Sequence, residues 1–302
     1  MPTTIWIDGR LAASDAPALT VFDRGFLLGD GVFETLRARR GVAIELDEHL
    51  ERLRASALPL GIALPADDAG IVQGIAAVLA AEGLDDDGSS GHPPGDAAIR
   101  ITVTRGAYMS RGLAPSGPSS GTTIVIVAWP HVPPRGSVLR DGLTLVASSV
   151  RRDPASPLAG VKTTSRAESV FARLEADRAG ADDALILDTT GHVSEATSAN
   201  IFAIRRDRLV TPPLASGCLA GTTRAWLLAH AGAHDLTPEE LPMTRADLLR
   251  ADEVLLTSSV AGILPVRRID GQPVGRDAAG PLTIQLRDRR EAWIDHASRG
   301  RT

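Results

Sequence analysis

Strand-like and helix-like stretches are interleaved along this chain without the strict alternation that builds a doubly wound parallel sheet, so the pattern predicts an α+β fold. Short apolar runs at 4–7 (TIWI) and 19–22 read as strands, and 31–37 reads as a hairpin with 42–46, turned at Arg40-Gly41. Asp47 then serves as the N-cap of the helix DEHLERLRASALPL, with Leu50, Leu53 and Ala57 at helical spacing, and 66–83 forms a second helix. Strands over 97–104 and 122–129 flank the Gly/Pro/Ser-rich loop RGAYMSRGLAPSGPSSG, a length that points to function or mobility. Beyond HVPPRG come a strand at 143–148, a helix at 165–180 and a strand–turn–strand run to Ala203. Helices follow from about Gly221 and over 244–250, then a strand at 253–257 and a last helix at 281–296. At 302 residues the chain exceeds the ~250–300 at which single cores stop growing. The expected organisation is a small N-terminal α/β domain (1–130), a linker (131–137) and a larger C-terminal α/β domain (138–302) that contains Lys162, with 85–96 a surface loop.

Several function classes have little support. No apolar run approaches the ~20 residues of a membrane span, and the first residues lack a signal-peptide pattern, so the expected compartment is the cytoplasm. A net charge of −5 and a pI near 5.8 give no nucleic-acid surface. The single cysteine, Cys218, excludes an intramolecular disulfide framework, and the seven scattered histidines form no HExxH pair, so no metal is expected. Gly29-Asp30-Gly31 resembles the start of a dinucleotide fingerprint, but Glu34 stands where its third glycine belongs. There is no Walker A motif and no GxSxG elbow.

Of the 32 basic residues, 31 are arginine and one is lysine, Lys162. Compositional bias explains the arginines, and a lone lysine can survive it by chance; the alternative is a place where arginine cannot substitute, because only the amine can lose its proton and act as a nucleophile. Downstream of it lie GHVSEATSAN (191–200) and LAGTTR (219–224), the latter opening a helix. A glycine and two threonines at a helix start suit a phosphate, although an ordinary N-cap reads the same way. A lysine nucleophile, a carboxylate and a phosphate cradle together point to pyridoxal 5'-phosphate.

The motifs FDRGFLLGDGVFETLR (22–37), HLERL (49–53), AGVKTTSR (159–166), DDALILDTTGHVSEATSANIF (182–202), LAGTTR (219–224) and EVLLTSSVAGILPV (253–266) occur in this order. In order and spacing the chain resembles the fold-type IV (class IV) pyridoxal-phosphate enzymes: branched-chain and D-amino-acid aminotransferases, (R)-amine transaminases and aminodeoxychorismate lyases. The resemblance implies a two-domain α+β fold with the active site in the interdomain cleft, and a homodimer acting on small amino and oxo-acid substrates. It implies that Lys162 holds the cofactor as an internal aldimine and shuttles the proton, while Glu195 faces the pyridine nitrogen. Arg52, Thr222, Thr223 and Ser259 would hold the phosphate. Ser259 stands where the family more often has threonine, and it keeps the hydroxyl. His49 reads as packing on the Arg52 helix face, Asn200 and Thr197 as structural support, and Phe33 as part of the substrate side.

Reaction type turns on the substrate side. Thr35 replaces the glycine of FEG found in many branched-chain enzymes and matches a threonine of aminodeoxychorismate lyases, where its hydroxyl can assist elimination. Arg111 matches a loop arginine that could hold a substrate carboxylate. Leu113 stands near the place of a D-amino-acid-enzyme histidine, and Leu28 replaces a branched-chain-enzyme tyrosine. Amino transfer to a 2-oxo acid is placed ahead, with elimination of pyruvate to give 4-aminobenzoate as the alternative. A non-catalytic small-molecule binding module comes third, since both Lys162 and Glu195 are present.

Overall fold

The computed structural model describes residues 2–16, 18–86, 96–108 and 112–299. By contacts the chain divides into two compact units. One comprises Met1–Val132 with Val161–Ser165 and Ile294–Thr302; the other comprises Pro133–Gly160 and Arg166–Trp293. Lys162, although it lies within the C-terminal half of the sequence, therefore groups with the first unit.

The first unit contains β1 (Thr4–Ile7), β2 (Arg10–Ala13), α1 (Arg24–Leu28), β3 (Gly31–Arg39), β4 (Val42–Ala43), α2 (Leu46–Leu60), α3 (Ala69–Ala81), β5 (Asp96–Thr104) and β6 (Thr123–Pro130). Its six-stranded sheet has the order β2-β1-β6-β5-β3-β4, antiparallel at every pairing. Alternate residues of β3, among them Val32, Leu36 and Ala38, join Leu50, Leu53 and Ala57 of α2 and Ile71, Ile75 and Val78 of α3 in one core. That alternation puts Glu34 on the helix-covered face, with Phe33, Thr35 and Arg37 on the other.

The second unit contains α4 (Gly136–Asp141), β7 (Leu143–Arg152), α5 (Ala167–Arg178), β8 (Asp183–Asp188), β9 (Val193–Ala196), β10 (Asn200–Arg205), β11 (Arg208–Thr211), α6 (Thr222–His230), β12 (Thr237–Glu240), α7 (Arg245–Leu249), β13 (Glu253–Ser258), β14 (Gly262–Ile269), β15 (Gln272–Pro273) and most of α8 (Pro281–Ala297). Its mixed sheet runs β12-β11-β10-β13-β14-β7-β8-β9, with β15 on β14. Ile201 and Ala203 of β10 pack in one core while Phe202 and Ile204 pack in another with Trp226, Leu227 and Leu286. A strand covered on both faces has no reason to alternate, which is why NIFAIR and EVLLTS read as continuous apolar runs. Among the described residues no helix is long and apolar enough to cross a membrane.

Three local expectations change. The run 19–22 is not a strand: Leu19, Val21 and Phe22 are exposed, and Asp23 caps α1 by accepting from the Gly25 N–H. Asp47 is not the N-cap of its helix. That helix starts at Leu46 after a left-handed Glu45, and Asp47 supplies first-turn negative charge instead. β7 runs on through Arg152 because Arg151 and Arg152 pair with Leu187 and Asp188 of β8.

Candidate active site

Lys162 is fixed through its backbone. Its N–H donates to Ser56 Oγ at 3.2 Å and its carbonyl accepts from the Phe33 N–H at 3.0 Å. Two residues on, the Thr164 N–H donates to the Gly31 carbonyl at 2.9 Å. The lysine segment thus lies as a short antiparallel partner along the start of β3, with Val32 facing Thr163. Gly29 makes room for it: φ is +65°, and a Cβ there would stand 2.3 Å from Ser165 Oγ. At Gly31 a Cβ would stand 2.7 Å from the Val103 carbonyl oxygen and 3.1 Å from Thr164 Oγ1, so both glycines of GDG keep space for close neighbours.

The Lys162 ammonium lies 4.7 Å from the ring centre of Phe33, and the Arg100 guanidinium 3.9 Å from it. Thr35, two residues along the same face, sits opposite Arg100 in the strand register. Arg100 also donates from Nε to Thr102 Oγ1 at 3.1 Å. This fixed cation was not singled out from the sequence.

Behind that strand, α2 presents His49 and Arg52 to Glu34. Arg52 donates from Nε to Glu34 Oε1 at 2.8 Å and from Nη2 to Oε2 at 2.7 Å, and His49 Nδ1 donates to Oε2 at 2.8 Å. Glu34 and His49 have fully buried side chains. Burial alone would raise the Glu34 pKa, but the hydrogen bonds from Arg52 and His49 outweigh it and hold it down at about 2.

In the second unit, Glu195 lies on β9, its side chain 12% exposed. Arg152 Nη2 donates to its Oε1 at 2.9 Å, and the Leu219 N–H donates to Oε2 at 3.0 Å. Arg166 donates from Nη2 to the Thr197 carbonyl at 2.6 Å. Burial presses its pKa down, and the charge of Glu195 opposes this. Thr197 in turn donates to Asp183, and Asn200 Nδ2 donates to the Leu219 carbonyl at 2.8 Å. A Cβ at Gly221 would stand 2.1 Å from Asn200 Oδ1, so a side chain there would displace the Asn200 amide that holds the Leu219 carbonyl. α6 begins there, with no side chain on Gly221 to cap its first amides. Thr222 Oγ1 lies 3.1 Å from Ser259 Oγ, while Thr223 is 1% exposed and its hydroxyl is buried without a hydrogen-bond partner.

Within their units, then, the predicted residues fall into two groups: Lys162, Phe33, Thr35 and Arg52 in the first, Glu195, Thr222, Thr223 and Ser259 in the second. Arg111 lies outside the described residues. These groups fit pyridoxal phosphate in their donor chemistry. The amine sits on an immobilised backbone, the carboxylate keeps acceptor capacity beyond its two bonds, and an uncapped helix start with a hydroxyl pair suits a phosphate. Among the described residues no group of three or more His, Cys, Asp or Glu could hold a metal.

The family model for class IV amino-transferases matches residues 31–269. A putative branched-chain-amino-acid aminotransferase of Methanocaldococcus jannaschii is 35% identical over 94% of each chain. Among solved structures, a branched-chain aminotransferase of Escherichia coli superposes with a TM-score of 0.90 at 25% identity, covering 100% of this chain and 97% of that one. The 4-amino-4-deoxychorismate lyase of Pseudomonas aeruginosa superposes with a TM-score of 0.80 at 34% identity, covering 96% and 99%.

Proposed function

The chain belongs to the class IV aminotransferases, with their two-domain α+β fold of type IV, and within that family of transferases and lyases we propose that it is an aminotransferase. It moves an amino group from an amino acid or amine to a 2-oxo acid, with pyridoxal 5'-phosphate as cofactor. The observation that carries this reading is the immobilised Lys162, its backbone hydrogen-bonded on both sides and its amine over Phe33.

When bound, pyridoxal phosphate supplies an electron sink for bond changes at the substrate α-carbon. Lys162 would hold it covalently, and its free amine would move the proton at that carbon. Glu195, steadied by Arg152 and the Leu219 N–H, holds a proton on the pyridine nitrogen. Arg52 in the first unit, and Thr222, Thr223, Ser259 and the first amides of α6 in the second, would hold the phosphate. Phe33 shields the lysine from water, and Arg100 and Arg111 offer cations to a substrate carboxylate. Exposed Phe22, Phe26 and Leu27 in one unit, and Val170 and Phe171 in the other, support a homodimer that covers them. The expected location is the cytoplasm.

Elimination of pyruvate to 4-aminobenzoate is the second reading. It is favoured by Thr35, set opposite Arg100, and by the 34% identity to the Pseudomonas lyase. Absorbance spectra of the cofactor-loaded protein, taken with D-alanine, L-leucine, an (R)-amine or aminodeoxychorismate and no acceptor, separate the two. Conversion of the yellow form by one of the first three supports transfer and gives its handedness. Silence with these, but pyruvate and 4-aminobenzoate from the last, makes the protein a lyase.

A further inference from the structure

We propose that Glu34 is a positioning residue for the cofactor phosphate: a buried carboxylate whose task is to aim the Arg52 guanidinium. The inference rests on the reading of Arg52 as a phosphate ligand.

A fully buried carboxylate on a core-facing strand is costly unless it is paired, and Glu34 lies on the same face of β3 as the core residues Val32 and Leu36. Its pairing is directional. Glu34 takes Nε and Nη2 of Arg52 as two parallel bonds of 2.8 and 2.7 Å, which fixes the guanidinium plane as well as its position. The nitrogen that Glu34 does not hold, Nη1, is thereby given one direction. His49 Nδ1 bonds to the same Oε2 at 2.8 Å and stops the carboxylate from rotating. Arginine has several rotatable bonds, and an unanchored one loses rotamer freedom when it meets a ligand. A guanidinium already locked against Glu34 avoids most of that loss. Glu34 also neutralises the charge of Arg52, so the gain is one of aim rather than of net positive potential. The glutamate of GVFET thus supports the cofactor side from behind, while its neighbours Phe33 and Thr35 face the opposite side of the sheet.

The test measures affinity of the cofactor-stripped full chain for pyridoxal phosphate and for pyridoxal, which lacks the phosphate. Wild type is compared with Glu34→Gln and Arg52→Gln. We expect Glu34→Gln to weaken pyridoxal phosphate roughly ten- to hundredfold, the loss of an ion-assisted pair, and to change pyridoxal affinity by less than about twofold. Arg52→Gln should show the same selective loss. If Arg52→Gln weakens both ligands alike, Arg52 is not on the phosphate and the proposal falls with it. If Arg52→Gln is selective and Glu34→Gln is not, the proposal alone is overturned. Should Glu34→Gln fail to fold, Glu34→Asp, which keeps the charge but withdraws it by one methylene, is read by the same criterion.

Discussion

Arg152 at the end of β7 holds Glu195 of β9 by a 2.9 Å hydrogen bond from Nη2 to Oε1, and the Leu219 N–H takes the other oxygen. A carboxylate tethered on both oxygens keeps one orientation, which is what a partner for a ring nitrogen needs. Arg152→Gln removes the charge-assisted half of that tether. It should slow the half-reaction with an amino donor about ten- to hundredfold while cofactor uptake continues. Stopped-flow absorbance reads this directly, and an unchanged rate would leave Glu195 positioned by Leu219 alone.

Glu34 should also be visible in stability. Its pKa is about 2 in the folded chain against an ordinary 4.5, so the folded state favours the charged form. The resulting stability, of order 3 kcal/mol, is fully present above the ordinary value and is lost as pH falls through about 2. Chemical denaturation of wild type and Glu34→Gln should therefore give a difference that is constant above about pH 5 and shrinks steadily below it. A difference independent of pH would show that Glu34 is not held ionised by Arg52 and His49.

Gly29 and Gly83 have nearly equal left-handed angles, φ +65° and +64°, but only at Gly29 would a Cβ meet a neighbour, Ser165 Oγ at 2.3 Å. Gly83→Ala should cost about 1–2 kcal/mol, the left-handed strain alone. Gly29→Ala should cost more and should also weaken cofactor uptake, since the displaced neighbour belongs to the lysine segment. Equal losses in denaturant midpoint at the two positions would mean that this close approach constrains nothing.

Thr35 separates the two chemistries. Thr35→Val keeps the branched shape and the strand propensity while deleting the hydroxyl. If that hydroxyl assists elimination, pyruvate release from aminodeoxychorismate should fall by about tenfold or more with amino transfer nearly unchanged. Equal loss of both, measured side by side, would make Thr35 a strand residue only.

Much of the candidate site was legible because its residue types are chemically scarce in this chain. One lysine stands among 31 arginines, and a carboxylate and a Gly-Thr-Thr helix start follow it. The same composition hid the supporting groups. Arg152 and Arg166 look like any other arginine, and only the pairing of β7 with β8 carries Arg152 toward Glu195. Glu34 stood out only as a residue that was not glycine, since its partners lie on a helix 15 and 18 residues away. The run 19–22 looked like a strand from its apolar residues, yet its Leu19, Val21 and Phe22 face solvent and find no strand partner. β7 extends beyond Ser148 because its polar end, SVRR, is paired through backbone that side-chain patterning does not report.

If Lys162 carries the cofactor, the bond between them can be trapped chemically. Borohydride reduction of the protein loaded with pyridoxal phosphate, followed by peptide mass mapping, tests this without any substrate. A single phosphopyridoxyl group is expected on the peptide containing Lys162, and none in Lys162→Ala, which should also lack activity. An unmodified Lys162 in a protein that has turned yellow, or full turnover by Lys162→Ala, would contradict this role of Lys162.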